Sequence, residues 1–444
     1  MKLLKRIGLL LIPILGIIIY TNYPKLNLIS GFASKNMASS VFIAERSADY
    51  VANNDNNMPL VKLANVKLNT KDQSATGSVY GLMPRKSIYR EGLGCVLIND
   101  DYTETESFPI PNRFIKNDIL PFPYGAIVLK DTLFANVDYD KLYAAINNSF
   151  SNPDVKKTRS VLVYHKNRII GEKYAEGFNE NSKILGWSMT KSIVSTLYGI
   201  LEYKGEINLN HSAPIDAWQQ DERKNITINH LLRMQSGLAW EEDYTKISDV
   251  TKMLFLDADM TASQANKKAI AAPTKIWNYS SGTTNLLSGI LRKQFDNYQD
   301  YLDFPYRALI DKIGMNSMLL EADMEGNYVG SSYAWATTRD WAKFGILYLN
   351  KGNWNGEQLF DEKWINYITT PTEHSDGTYG AHFWLNANGK YPNVPRDMYS
   401  ANGFQGQRVY IIPSKDLVIV RMGLAEDPEF DFNSFLNEIL SAIK

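Results

Sequence analysis

Gly186-Trp187-Ser188-Met189-Thr190-Lys191, with the apolar run Ser192 to Leu201 behind it, is the stretch on which the reading of this chain turns. Ser188 and Lys191 are three residues apart, so a helix through them puts both side chains on one face, one turn from each other. A lysine amine so placed can draw the proton from a serine hydroxyl, given surroundings that keep the amine neutral. That is one way to activate a nucleophile without histidine. The same spacing recurs at Ser441 and Lys444, where nothing follows that could complete a site. The pair alone decides little, and its neighbours along the chain carry the argument.

At 444 residues the chain is long for one core, and two to three structural units are expected. The net charge is −1, with acids and bases mixed along the sequence. No basic stripe points to nucleic acid, and no acidic block points to a disordered tail. Cys95 is the only cysteine, which rules out an intrachain disulfide and any cysteine-based zinc site. Within Gly92 to Ile98 it reads as a buried strand residue. His165, His211, His230, His374 and His382 form no H-E-x-x-H, and there is neither a phosphate-cradling loop nor a dinucleotide fingerprint. No metal or cofactor is expected. Gly186 to Thr190 also falls one glycine short of the G-x-S-x-G elbow, which weighs against a Ser-His triad.

Lys2, Lys5 and Arg6 precede an apolar stretch from Ile7 to Tyr20, the pattern of an export signal. The stretch is short beside the about 20 apolar residues of a membrane-crossing helix, and no small-x-small cleavage site follows it. Residues 1–22 are therefore an export signal or an uncleaved membrane anchor, and the bulk of the chain is expected outside the cytoplasm, in the cell envelope or periplasm. Residues 23–154 read as an accessory segment, with a short helix over Met37 to Ala52 and a hairpin at Asn69 to Asp72. Pro-rich stretches at Phe108 to Pro111 and Pro121 to Gly125 mark linkers. The main domain is placed at 155–444. Two strands, Ser160 to Tyr164 and Arg168 to Tyr174, open it, and strands Gln407 to Ile412 and Leu417 to Met422 close it before an amphipathic helix from Phe430 to Ile443. The expected class is α+β: an antiparallel sheet from N- and C-terminal parts, flanked by helices, with a mostly helical lobe inserted at roughly 205–335. A site would lie in the cleft between sheet and lobe.

Two later segments give Ser188 company. Trp277-Asn278-Tyr279-Ser280-Ser281-Gly282 precedes a helix, and Tyr279 at such a loop either packs or points into the cleft. Ala401-Asn402-Gly403-Phe404-Gln405-Gly406-Gln407 starts the late strands, where glycines allow close approach of a substrate or simply make a turn. A backbone N–H here, paired with that of Ser188, would form an oxyanion hole. Trp187, Trp240, Tyr244 and Trp384 are further candidates for the cleft wall.

In this order the three segments resemble the beta-lactamase-like serine hydrolases, which include class C beta-lactamases, D-alanyl-D-alanine carboxypeptidases, esterases and 6-aminohexanoate-dimer hydrolases. The resemblance covers about Val155 to Lys444 and extends to the flanks Thr227 to Leu238 and Ala336 to Asp340. It implies the beta-lactamase/transpeptidase-like fold. It also implies Ser188 as nucleophile, Lys191 as the group that helps deprotonate it, and Tyr279 as proton shuttle. The N–H groups of Ser188 and Phe404 would hold the oxyanion, beside Gly403 and Asn402.

Two departures shape the expected function. Ser281 stands where the family's middle motif has asparagine, and Ala401 stands where its late motif has a cation that binds a substrate carboxylate. Arg408 is expected to face elsewhere. Acyl transfer survives such changes better than carboxylate recognition does. The expected activity is hydrolysis of ester or amide bonds in a small molecule through an acyl-enzyme on Ser188. Beta-lactamase or D-alanyl-D-alanine carboxypeptidase activity, or a membrane-tethered sensor that has lost turnover, are the alternatives.

Overall fold

The first hundred residues fold around one helix. The computed structural model describes residues 2–99, 102, 109–115, 119–129 and 133–444, with side chains from Asn22 onward. These residues form two compact units, the smaller made of Met1–Ser107, Glu241–Met260 and Asp323–Glu325. In it, helix α1 (Lys2–Phe42) continues without a break from the N-terminal stretch onto an antiparallel meander. The meander is β1 (Ala64–Asn69), β2 (Ser74–Val79), β3 (Leu82–Arg90) and β4 (Gly94–Leu97). Small residues bring helix and sheet close: a Cβ on Gly77 would stand 2.6 Å from Ser30 O, and Ser34 Oγ lies 2.7 Å from Ser87 Oγ. Cys95 is buried in β4.

The expected hairpin joins β1 to β2, with Asn69 Oδ1 accepting the N–H groups of Lys71 and Asp72. The expected helix over 37–52 is instead divided. α1 ends at Phe42, Glu45 takes a left-handed φ of 56°, and Ser47 caps a new helix, Ala48–Asn53, at Tyr50 N. The apolar run of the expected signal or anchor lies outside the described side chains, and Phe108 of the first linker lies outside the described residues. Among the described residues no helix is long and apolar enough to cross a membrane.

The larger unit comprises Phe108–Trp240, Thr261–Ala322 and Gly326–Lys444. It begins with α2 (Tyr139–Ser149), β5 (Thr158–His165), β6 (Arg168–Tyr174), β7 (Ile184–Leu185) and α3 (Thr190–Tyr203). Then come α4 (Ser281–Arg292), β8 (Leu319–Leu320), β9 (Ala334–Ala336) and α5 (Thr338–Leu349). It ends with β10 (Trp384–Leu385), β11 (Tyr399–Gly403), β12 (Gln407–Ile412), β13 (Leu417–Gly423) and α6 (Phe432–Ser441).

Strands from opposite ends of this segment share one antiparallel sheet, in the order β10-β11-β12-β13-β5-β6. Side chains alternate across it. Val161, Val163, Tyr410, Ile412 and Ile419 meet Leu142 and Ile146 of α2 and Phe435, Leu436 and Ile439 of α6 on one face. On the other, α5 lies so close that a Cβ on Gly345 would stand 2.6 Å from Val418, and Ser160 Oγ bonds Thr338 Oγ1 at 2.6 Å. Both faces being covered, every residue of β5 and β13 is buried. The architecture is α+β, as the sequence reading expects.

α3 is buried from Thr190 through Leu201, the fate of a helix that is apolar nearly all round. Two of its serines tie it to backbone nearby: Ser192 Oγ donates to His382 O at 2.7 Å and Ser195 Oγ to Ala381 O at 3.0 Å. This fixes the helix, and with it the two residues at its start, inside the larger unit.

Candidate active site

Ser188 sits on a forced turn. β7 pairs with β9, and Gly186 N–H bonds Ala334 O at 2.8 Å. Trp187 then takes a φ of +49°, a region bulky residues seldom occupy. Three contacts hold it there. Thr190 Oγ1 donates to Trp187 O at 2.7 Å, and the indole meets the rings of Phe404 and Tyr333 at 5.6 and 6.1 Å. Strain of this kind persists only where the surroundings over-determine it, and it tends to gather at sites that do chemistry.

One turn on, Lys191 is 2% exposed. Its Nζ lies 3.0 Å from Ser188 Oγ, 3.0 Å from Ser281 Oγ and 2.8 Å from Ser331 O. An ammonium would donate to all three oxygens. A neutral amine would donate to two and take the Ser188 hydroxyl proton on its lone pair. The geometry therefore accommodates the proton on either side of the Ser188–Lys191 contact.

Ser281 and Tyr279 come from the loop that opens α4. Ser280 caps this helix through Thr283 N at 2.9 Å, so Ser281 stands at its first position, where a short side chain reaches the amine. The loop is tied down by Asn278, whose N–H bonds Met234 O at 3.0 Å and whose Nδ2 bonds Trp240 O at 3.1 Å. Lys191 Nζ lies over the Tyr279 ring, 5.0 Å from its centroid. Tyr279 in turn packs on Trp384 at 5.4 Å and Tyr379 at 5.8 Å, with Trp277 on the far side of both.

The late strand closes the group. A Cβ on Gly403 would stand 2.0 Å from Gly186 O, so only glycine lets β11 lie against the turn before Ser188. Phe404 follows, its ring edge-on to Trp187. Ala401 shares the face of Gly403 and is fully buried. Asn402 is the cross-strand partner of Arg408 and shares the opposite face. Arg408 does face elsewhere: its Nη1 donates to Gly403 O at 2.7 Å and Gln407 O at 2.9 Å, and the guanidinium stacks on Phe432.

The structure thus brings Ser188, Lys191, Tyr279 and Ser281 together, sets Gly403 and Phe404 beside them, and puts Asn402 on the other face of β11. Of the candidate wall aromatics, Trp187 and Trp384 adjoin the group, and Trp240 packs on Gly282. Tyr244 belongs to the smaller unit, where its hydroxyl bonds Glu242. Five participants escape the sequence reading. The Ser331 carbonyl is aimed by Asn285 Oδ1, which accepts Ser331 N–H at 2.9 Å. Thr284 Oγ1 bonds His382 Nε2 at 2.9 Å, while His382 Nδ1 donates to Leu232 O at 2.6 Å. Burial, and secondarily the Lys191 charge, pulls His382 down to a pKa of about 3, so it stays neutral and serves as a brace. Arg421 is the fifth. Fully buried, it donates to the carbonyls of Gln405, Gly406, Ala425 and Lys156, and so holds the bend that follows Phe404. None of these has a local signal: the contacts of Asn285, Thr284 and His382 span 46 or more residues of sequence, and the four contacts of Arg421 named here go to backbone carbonyls.

Among the described residues, no cluster of His, Cys, Asp and Glu could hold a metal ion. The family profile described as Beta-lactamase matches residues 156–434. The chain belongs to the beta-lactamase family. It is a serine hydrolase of that family, and its relatives within it are distant. A curated 6-aminohexanoate-dimer hydrolase of Paenarthrobacter ureafaciens is 21% identical over 299 residues, covering 61% of this chain and 74% of that one. A Bacillus anthracis structure provisionally named a 6-aminohexanoate-dimer hydrolase superposes with a TM-score of 0.59 at 20% identity, over 77% of this chain and 94% of that one. A family VIII carboxylesterase superposes with a TM-score of 0.53 at 16% identity, over 68% and 96%. These superpositions speak for the beta-lactamase fold.

Proposed function

We propose that this beta-lactamase-family hydrolase cleaves an ester or amide bond of a small molecule through an acyl-enzyme on Ser188. The observation that carries the reading is the Lys191 amine, 3.0 Å from Ser188 Oγ and fixed from behind by Ser331 O and Ser281 Oγ. In the first half-reaction Ser188 Oγ bonds the substrate carbonyl carbon, and its proton passes to Lys191. The leaving alcohol or amine then departs with a proton delivered by way of Tyr279. Water adds to the ester so formed, a proton returns through the same pair, and the acid leaves with Ser188 restored. The N–H groups of Ser188 and Phe404 hold the oxyanion in both halves. Gly403 lets the strand lie close enough for this, and Asn402 acts from the far face by positioning it. No step uses a cofactor.

The substrate's acyl portion carries no recognised carboxylate. Ala401 is a buried methyl group where the family's cation would stand, and Arg408 is committed to the backbone of the bend. The half-buried rings of Tyr279 and Trp384, backed by Tyr379, suit an apolar chain. The N-terminal Lys2, Lys5 and Arg6 with the apolar run Ile7 to Tyr20 support an exported protein held at the membrane outside the cytoplasm.

A fluorophosphonate probe tests the nucleophile. The folded chain should label once, and Ser188→Ala should not label; labelling that persists in the variant would end the proposal. A panel of p-nitrophenyl esters with and without a terminal carboxylate then tests the acyl pocket, the neutral esters being preferred. Turnover of nitrocefin in the same panel would favour the lactamase alternative. A stable acyl adduct by intact mass, with no turnover, would favour the sensor.

A further inference from the structure

The smaller unit exposes apolar side chains at one end. Tyr80 is 79% exposed, Leu60 51%, Leu82 46%, and Leu63 and Tyr23 39% each. Pairing puts four of them together: Ala64 pairs with Val79 and Val79 with Leu82, so the Leu60–Leu63 lead-in to β1 and the Tyr80–Gly81 turn share one edge of the sheet. The helix contacts say which edge. Ser34 meets Ser87, and Asn27 Oδ1 accepts from Arg85 Nη1 at 2.7 Å, so moving toward the N-terminus of α1 is moving toward the Tyr80 turn. A helix rises about 1.5 Å per residue and a strand about 3.3 Å, which sets that turn roughly level with residues 22–25. Tyr23 belongs to the same level. Beyond it, α1 continues into the apolar run Ile7 to Tyr20.

The turn is also made against preference. Tyr80 and Gly81 both have positive φ, 53° and 78°, the geometry of a two-residue hairpin turn that ordinarily takes Asn-Gly. Leu60 likewise has a φ of 70°. Two large apolar side chains are thus held out to solvent from backbone positions that favour glycine or asparagine.

We propose that Tyr23, Leu60, Leu63, Tyr80 and Leu82 form a collar that seats this end of the smaller unit in the interfacial layer of a lipid bilayer. The occupant is a membrane because the helix leaving this edge is the one whose apolar run is read as the anchor, and because tyrosine with aliphatic neighbours suits the headgroup boundary. Lys25 and Lys62, both exposed at the same end, can reach anionic headgroups. The collar rests on the anchor reading and adds depth and orientation to it.

The test uses the full chain in phosphatidylcholine/phosphatidylglycerol vesicles, with an environment-sensitive fluorophore on Tyr80→Cys or, at the opposite end of the sheet, on Lys71→Cys. Cys95 is buried and the parent chain serves as blank. The chain should float with the vesicles. Lipid-borne nitroxide should quench the label at 80 several-fold more than that at 71, and aqueous iodide should do the reverse. If the chain floats while both labels stay equally open to iodide, the anchor stands and the collar falls. If shielding at 80 grows with the protein-to-lipid ratio, a second copy covers the patch and the collar falls. If the chain does not float, anchor and collar fall together.

Discussion

The carbonyl oxygen of Gly186 occupies the space that any side chain on Gly403 would need: a Cβ there would stand 2.0 Å away. Gly186 is equally closed in, since its own Cβ would meet the Trp341 ring at 2.3 Å. The two ends of the site, the turn before Ser188 and the strand that passes it, are thus joined backbone to backbone. Gly403→Ala must push β11 away from Ser188. We expect kcat/KM on a neutral ester to fall by about a hundredfold, the scale that misplacement by an ångström costs. Urea denaturation should show a loss of only about 1–3 kcal/mol, the range for overpacking. Unchanged kinetics would mean that Gly403 has no part in positioning the oxyanion donor.

Lys191 should govern acylation. Lys191→Met keeps most of the buried volume and removes the proton acceptor, so the rate of fluorophosphonate labelling should drop by about 10²–10⁴-fold. Ser281→Ala removes one of the three oxygens around Nζ and should cost less, about tenfold, one hydrogen bond's worth of about 1.4 kcal/mol. Equal losses in the two variants would show that Ser281 does more than orient the amine.

His382 supplies a pH signature in stability. Its folded pKa of about 3 lies below an unfolded value near 6.5. Below about pH 6.5 the unfolded chain therefore binds the proton and the folded one does not, so stability falls with falling pH down to about pH 3. The slope from this one group approaches about 1.4 kcal/mol per pH unit. His382→Asn, able to sit at the left-handed φ of 64° and to meet Leu232 O, should flatten the wild-type decline in urea midpoint between pH 7 and 4. An unchanged decline would assign it to other groups.

Arg421 braces the bend after Phe404 with hydrogen bonds to four backbone carbonyls. Arg421→Met leaves those acceptors buried and unmet, which should lower stability by about 3–5 kcal/mol. In the fraction that folds, kcat should fall more than KM rises if the bend carries the proposed oxyanion donor.

Spacing along the chain makes the Ser188–Lys191 contact and the architecture legible. Ser188 and Lys191 meet because a helix brings residues three apart together, and alternating strands at both ends of the main segment announce a sheet. The order of motifs adds Tyr279 and the glycine strand. What stays hidden works through backbone atoms or over distance. Ser331 contributes a carbonyl 140 residues from the lysine that it binds, and no side-chain pattern marks a carbonyl. His382 is one of five histidines with no motif to single it out, and only its burial shows it to be an inert brace. Likewise no local pattern ties Glu241–Met260 to the first hundred residues, with which it forms one unit.

The sheet order carries a consequence for how the enzyme comes to life. β13 lies between β12 and β5, so the early hairpin and the late strands join only through it. A chain emerging N-terminus first therefore holds Ser188 and Lys191 long before it can hold the strand that faces them. Such distant pairings form slowly. The group around Ser188 therefore stays incomplete until β13 has followed Ser188 and Lys191 out of the ribosome and joined the two halves of the sheet.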